Sequence, residues 1–247
     1  MISLTVALPI WNSKRIAWLP FEGLCNQKKI TFDWELLIAE EQINHFGAEE
    51  ISKFSERLQD VGCVSMRYFP LDYRIPLAQK WKFLAEKTSK SSKIFLLQAA
   101  DCYPESLRLS RTMDKVKEGY DWIQNRCTYM YSLHYKNVIE FDQSTFGPGC
   151  KCGANMAVST DLIKNLPNSF ETSGIDNWLL KQTAPKNICW IDGSMPDGLD
   201  VDGLNNISFA RRRNFEITEP PFKKTDKKIS DIVPEYIADR LKKTAPR

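Results

Sequence analysis

Three apolar runs in the first hundred residues end in side chains that could hold a charged ligand. "TVALPIW" delivers Pro9, Trp11 and Asn12, "ELLIAEEQ" delivers Glu40, Glu41 and Gln42, and "IFLLQAADCYP" delivers Gln98 and a single acid, Asp101. Acids at strand ends suit a nucleotide held through a divalent cation. Mg²⁺ keeps several waters and binds through one or two carboxylates plus substrate phosphates, so even one carboxylate can take part. Each acid also has a plainer use: Asp101 precedes Tyr-Pro as a turn residue would, and Glu40 and Glu41 could be exposed strand-end acids.

Other chemistries find little support. No G-x-G-x-x-G or G-x-x-x-x-G-K-[ST] is present, which leaves dinucleotide and P-loop readings without a motif. There is no G-x-S-x-G elbow, and two histidines, His45 and His134, leave little scope for a triad. Seven scattered cysteines include a Cys150-x-Cys152 pair with no second pair at finger spacing. The N-terminal apolar run is short and lacks a basic leader, so reduced thiols in a cytoplasmic setting are expected. No run approaches the ~20 apolar residues that span a bilayer.

The elements that must carry these residues follow from periodicity. "SLTVALPIW", "DWELLIAEEQ", "CVSMRYFPL" and "KIFLLQAA" read as buried strands. Between them, "RIAWLPFEGLCNQ", "AEEISKFSERLQDVG" and "LAQKWKFLAEKTSK" carry helical spacing, the first interrupted by Pro20. This alternation predicts an α/β, mostly parallel, doubly wound sheet flanked by helices. Ligands of such sheets bind beyond the C-terminal strand ends, so Pro9 to Asn12, Glu40 to Gln42 and Gln98 to Asp101 should line one crevice. Further on, "YDWIQNRCTYMYSLHY" reads as a strand with "NVIEFD" as its hairpin partner. A Gly-rich turn, "FGPGCKCGANMAVS", leads into the helix "TDLIKNL", with Thr160 or Asp161 as N-cap. "SGIDNWLLKQT" predicts another helix and "NICWIDGS" a last short strand. Beyond about residue 215 the chain reads as a Pro-containing linker and a short terminal helix.

In this order the features resemble family 2-like glycosyltransferases with a GT-A fold. "VALPIWN" is similar to that family's "V-x-[LI]-P-x-[YW]-N", and "WELLIAEEQ" to "E-L-I-I-V-D-D-G-S". "IFLLQAADCYPESL" is similar to "I-x-F-L-D-x-D-D-x-Y-x-P", "CGANMAVSTDLI" to "G-x-N-x-A-[FIV]-R-R-x-x-[FL]", and "SGIDNWLLKQ" to "G-E-D-x-E-L-x-x-R". The resemblance covers residues 3 to 215 and implies a Rossmann-like GT-A catalytic domain over 1–215, followed by a basic extension over 216–247. It implies transfer of a sugar from a nucleotide-diphosphate sugar to an acceptor hydroxyl, with inversion. Pro9, Trp11 and Asn12 would shape the nucleotide site, and Glu40 or Glu41 would contact the nucleoside. Gln98 would line the donor site, while Gly153, Ala154 and Asn155 would border the donor and acceptor pocket. Asp101 would hold Mg²⁺ or Mn²⁺, and Asp176 would be the general base; as a residue type, Asp176 also suits a helix N-cap.

The chain departs from the pattern where Gln98 and Ala100 replace acids, where Glu40-Glu41-Gln42 stands for D-D-G, and where Ile175 precedes Asp176. The lost acids give a second reading, a non-catalytic relative that binds a glycan or partner through the same crevice. "IDGSMPDGLDVDG" adds Asp192, Asp197, Asp200 and Asp202, and Asp202 or Arg211–Arg213 could supply a metal or phosphate ligand. The net charge of +3 is mild, but "RRR" at 211–213 and three "KK" pairs crowd the last 37 residues. A solvated tail explains this crowding. So does attraction to an anionic acceptor or surface, such as modified DNA, nucleic acid or acidic lipid.

Overall fold

The computed structural model describes residues 1–142, 155–168, 175–191, 198–202 and 222–244. Strands β1 (Ile2–Ile10), β2 (Asp33–Glu41), β3 (Cys63–Leu71) and β4 (Ile94–Leu97) are parallel, with β4, β1, β2 and β3 side by side. β1 and β2 are buried on both faces, which is why they read as unbroken apolar runs. Leu4, Val6, Leu8 and Ile10 face one core, and Ala7 faces the other with Leu37 and Ala39.

Helix α1 (Trp18–Cys25) packs on the first face and buries every residue. Pro20 does not interrupt it, because it falls in the first turn, where no intrahelical donor is lost. Gly23 is needed at its contact with residue 104: an added Cβ would lie 2.4 Å from Pro104 Cδ. The next helical stretch divides into α2 (Ala48–Ser52) and α3 (Ser55–Asp60) rather than running through. Helix α4 (Leu77–Glu86) lies on the opposite face, where Ala78, Trp81, Leu84 and Ala85 are buried.

After β4 the chain does not pass directly into a helix. Cys102–Pro104 forms β5, the edge of a second sheet, and helix α5 starts only at Arg108 and runs to Lys117. The run predicted as one strand is two: β6 (Trp122–Asn125) stays in the first sheet, while β7 (Cys127–Ser132) crosses to the second and pairs with β8 (Val138–Asp142). β9 (Ala157–Ser159) inserts antiparallel between β4 and β6 where a turn is expected. Helix α6 (Thr160–Lys164) follows, with Ser159 rather than Thr160 at its cap and no side-chain cap hydrogen bond.

Helix α7 (Ile175–Gln182) and β10 (Ile188–Ile191) complete the first sheet, in the order β10-β6-β9-β4-β1-β2-β3. β11 (Gly198–Asp202) lies between β7 and β5, and β12 (Phe222–Lys224) pairs with β8. Helix α8 (Glu235–Lys243) buries Ile237, Ala238 and Leu241 in the same core as β1. Thus "FKK", expected in a linker, is a strand, and the terminal helix is packed.

Candidate active site

The C-terminal ends of β4, β1 and β2 are adjacent, so the three polar stretches reach one edge of the sheet as their positions predict. Pro9 is buried near the end of β1, paired with Ala39. Trp11 follows at 38% exposure, with the Arg74 guanidinium carbon 4.1 Å from its ring centroid. This cation–π contact brings a positive charge from the loop after β3 to the end of β1. Asn12 adopts a left-handed φ of 48°, which asparagine tolerates well, and its Oδ1 accepts from Asn44 Nδ2 at 2.8 Å. The loops after β1 and β2 are thereby tied together.

Glu40 and Glu41 are both buried, which removes the plainer alternative of exposed strand-end acids. Glu40 Oε1 accepts from the Phe46 amide at 2.6 Å, and its Oε2 from the Gly47 amide at 3.0 Å and the Tyr68 hydroxyl at 3.1 Å. Glu40 therefore braces the loop after β2. Burial and the neighbouring Glu40 charge push the Tyr68 hydroxyl up to about 12, which keeps it a donor. Glu41 Oε1 pairs with Lys80 Nζ at 2.7 Å and accepts from the Ile75 amide at 3.3 Å, while its Oε2 is buried with no hydrogen-bond partner. Of the two acids, Glu41 is the one with an uncommitted oxygen.

Gln98 is buried at the end of β4. Its Nε2 donates to the carbonyls of Ala99 and Cys102, each at 3.0 Å, and its Oε1 accepts from Arg108 Nη1 at 3.0 Å. Arg108, itself 3% exposed, also donates to the carbonyls of Leu97 and Asn155. Asn155 has a φ of 85°, and its side chain joins three segments. Its Oδ1 accepts from the Ala99 amide at 3.0 Å, and its Nδ2 donates to Cys102 Sγ at 3.1 Å and Asp200 Oδ1 at 3.3 Å. Gln98 and Asn155 thus shape the turn that carries Asp101.

Asp101 is half-buried on that turn, and its carbonyl accepts from the Val201 amide at 2.8 Å. Asp200 is opposite Cys102 in the β11–β5 pair, one residue along from Asp101. Among the described residues, no group of three His, Cys, Asp or Glu side chains could hold a metal ion unaided. Two carboxylates completed by a diphosphate are nevertheless a donor set that Mg²⁺ accepts, hard and all-oxygen. Asp176 is the second residue of α7, but its side chain lies outside the described residues, as do Gly153, Ala154 and the Arg211–Arg213 run.

Sequence reasoning passed over Lys80, Arg74, Arg108 and the pairing that brings Asp200 to Asp101. Two of these had a signal. Lys80 stands four residues before Leu84 on the buried side of α4, and Arg108 shares the buried side of α5 with Leu109, Thr112 and Met113. A cation on an apolar helical stripe implies a buried partner.

No family model and no curated protein sequence matches the chain. By structure, S. aureus TarS 1–349 in complex with UDP-GlcNAc aligns at a TM-score of 0.62 and 13% identity, over 81% of this chain and 58% of that one. The mannosyltransferase PcManGT from Pyrobaculum calidifontis, in complex with GDP-Man and Mn²⁺, aligns at 0.59 and 12% identity, over 85% of this chain and 59% of that one. Glucosyl-3-phosphoglycerate synthase from Mycobacterium tuberculosis, in complex with phosphoglyceric acid, aligns at 0.50 and 13% identity, over 77% and 70%. The fold is that of GT-A glycosyltransferases, with a mostly parallel central sheet flanked by helices. The chain spans about three fifths of the length of TarS 1–349 and PcManGT. Among the described residues, no helix is long and apolar enough to cross a membrane.

Proposed function

We propose that the chain is a glycosyltransferase that moves a sugar from a nucleotide-diphosphate sugar to an acceptor hydroxyl. The observation that carries the proposal is the arrival of Trp11 and Asp101 at the C-terminal edge of a GT-A sheet, with Asn155 tying Asp200 to the turn that carries Asp101. The complexes of TarS with UDP-GlcNAc and of PcManGT with GDP-Man and Mn²⁺ support the donor class.

Trp11 and Arg74 would receive the base, with Pro9 and Asn12 fixing the floor and Glu41 the nearer acid. Asp101, with Asp200, would hold Mg²⁺ or Mn²⁺ against the diphosphate. When bound, such a cation neutralises charge on the departing diphosphate. Gln98 and Arg108 keep the Asp101 turn in place, and Gly153 and Asn155 would border the sugar. Asp176 would accept the proton of the acceptor hydroxyl as its oxygen bonds to the anomeric carbon and the bond to the diphosphate breaks, inverting that centre. The free state of the described cysteines, Cys25, Cys63, Cys102, Cys127 and Cys189, favours a cytoplasmic setting. The acceptor would be a saccharide or another hydroxyl compound, with an anionic acceptor as the alternative that the basic residues allow.

A second reading, a non-catalytic relative that binds through this crevice, draws on Gln98, a neutral side chain where the resemblance places an acid, committed to Arg108. Hydrolysis and transfer with UDP- and GDP-sugars in the presence of Mn²⁺ separate the two. The transferase reading expects turnover that falls at least about 100-fold in Asp101→Asn and in Asp176→Asn. Donor binding without turnover supports the second reading, and absence of any donor binding refutes the transferase reading.

A further inference from the structure

A second cleft, of about 410 Å³, opens between the β7–β8 hairpin and the segment that precedes α8. It is separate from the candidate active site. Tyr131, on its floor, belongs to the core shared by Leu199, Val201 and Leu241, whereas Asp200 points to the other face of β11, since successive side chains of a strand alternate.

Four lysines line this cleft, Lys136, Lys227, Lys228 and Lys242, and no acidic residue does. The nearest carboxylates sit outside the lining. Asp231 accepts from the Lys228 backbone amide at 2.8 Å, and Asp239 pairs with Lys242 at 3.1 Å on an exposed face. Lys136 Nζ donates to the Thr244 carbonyl at 3.0 Å, and Lys227 Nζ stands 5.1 Å from the Tyr129 ring centroid. Among the described residues, Lys242 alone of the four lysines has an ion-pair partner, Asp239.

A further observation points to a ligand. Tyr131 is 1% exposed, and its hydroxyl is buried with no hydrogen-bond partner. A buried hydroxyl without a partner is costly, and native structures rarely leave one so. Lys136 holds a left-handed φ of 54° at the hairpin turn, where glycine or asparagine would fit with less strain.

We propose that this cleft binds a small phosphate-bearing ligand, held by Lys136, Lys228 and Lys242, with the Tyr131 hydroxyl donating from the floor. A phosphate monoester brings close to two negative charges and three acceptor oxygens, which match several ammonium groups and one hydroxyl donor. The volume suits a small molecule or a single headgroup rather than a polymer.

The test is calorimetric titration of the full chain with inorganic phosphate, together with co-sedimentation on phosphatidylcholine vesicles with and without phosphatidic acid. Saturable phosphate binding supports a soluble ligand, and sedimentation that requires phosphatidic acid supports a lipid headgroup. In either case the Lys136→Gln/Lys228→Gln pair should weaken binding at least about tenfold. Tyr131→Phe should weaken binding severalfold while leaving the melting temperature without phosphate equal or higher, because it removes a hydroxyl with no partner. A residue that served only the core would not separate the two readouts in this way. Binding to neither probe overturns the proposal, as does binding unchanged in both variants. Binding of duplex DNA without any binding of phosphate overturns it too, since the lysines would then act as a diffuse basic surface.

Discussion

Lys80 and Glu41 form an ion pair at 2.7 Å beneath the loops that follow β1 and β2, and neither side chain is more than 4% exposed. Lys80 also reaches the Ile10 carbonyl at 3.4 Å, so it joins the ends of both strands from below. Breaking such a pair from one side leaves an uncompensated buried charge. Lys80→Met is expected to cost about 3–5 kcal/mol, and the Lys80→Met/Glu41→Leu double variant to regain most of it. Urea denaturation of the three proteins measures both. A single variant as stable as the wild type would mean that the pair contributes nothing to holding the crevice floor.

The same lysine gives a pH signature. Desolvation lowers its pKa below the ordinary 10.5, although Glu41 opposes the shift. The unfolded chain then holds that proton more tightly than the folded one. In the window between the depressed folded value and 10.5, stability therefore rises with pH through this group. Lys80→Met lacks this contribution, so the stability difference between wild type and variant should move in favour of the wild type as pH rises through that window. Denaturation midpoints at neutral and alkaline pH, compared between the two proteins, provide the measurement.

Trp11 and Arg74 make a separable prediction about the donor. Both belong to loops at the crevice rim, and Trp11 is partly exposed, so their removal should spare the fold. Trp11→Ala is expected to weaken UDP or GDP binding by about 1–3 kcal/mol, the range for stacking of a base on an aromatic ring. Arg74→Ala should cost less. Titration of both nucleotides into each variant, with circular dichroism as the control, tests this. Affinity that stays unchanged in Trp11→Ala would remove the stacking role.

Gly198 opens β11 with a φ of 153°, and an added Cβ would lie 2.0 Å from the Tyr103 carbonyl oxygen. Gly198→Ala must push β11 away from β5, and with it Asp200 away from Cys102 and the turn that carries Asp101. The expected result is a loss of about 1–3 kcal/mol in stability, the range for forced overpacking, together with weakened Mn²⁺-dependent donor binding. Thermal unfolding and nucleotide titration with and without Mn²⁺ separate the two effects.

The first sheet was legible because its strands carry their own signal. Buried on both faces, β1 and β2 read as apolar runs, and the polar residues that end them reach one edge by topology alone. Of the second sheet only the β7–β8 hairpin was legible, and in the first sheet β9 was not. β5, β9 and β12 have three residues each, too few for any period to emerge, and each is held by partners distant in sequence. Arg126 marks the point at which one expected strand divides between two sheets, and only the neighbours of β6 and β7 decide that division.

At the site, the acids of β2 were found, but the two readings of them, exposed or engaged, stayed open. Whether Glu40 faces solvent depends on Phe46 and Gly47 folding back over it, which no local pattern of Glu40 encodes. Asp200 could be named as one aspartate among four, but its pairing with Cys102 depends on strand order.

The returning C-terminal segment also bears on how the molecule comes together in time. The Tyr236 hydroxyl donates to Glu22 Oε2 at 2.9 Å across 214 residues, and Arg240 lies 3.9 Å from the Trp18 ring centroid. During synthesis the early βα units can pair as they emerge, but the side of α1 that meets α8 stays uncovered until Glu235–Lys243 has been made. Contacts of such long separation form slowly. The interval between the two events is when this protein is most exposed to aggregation, and when a chaperone would have most to protect.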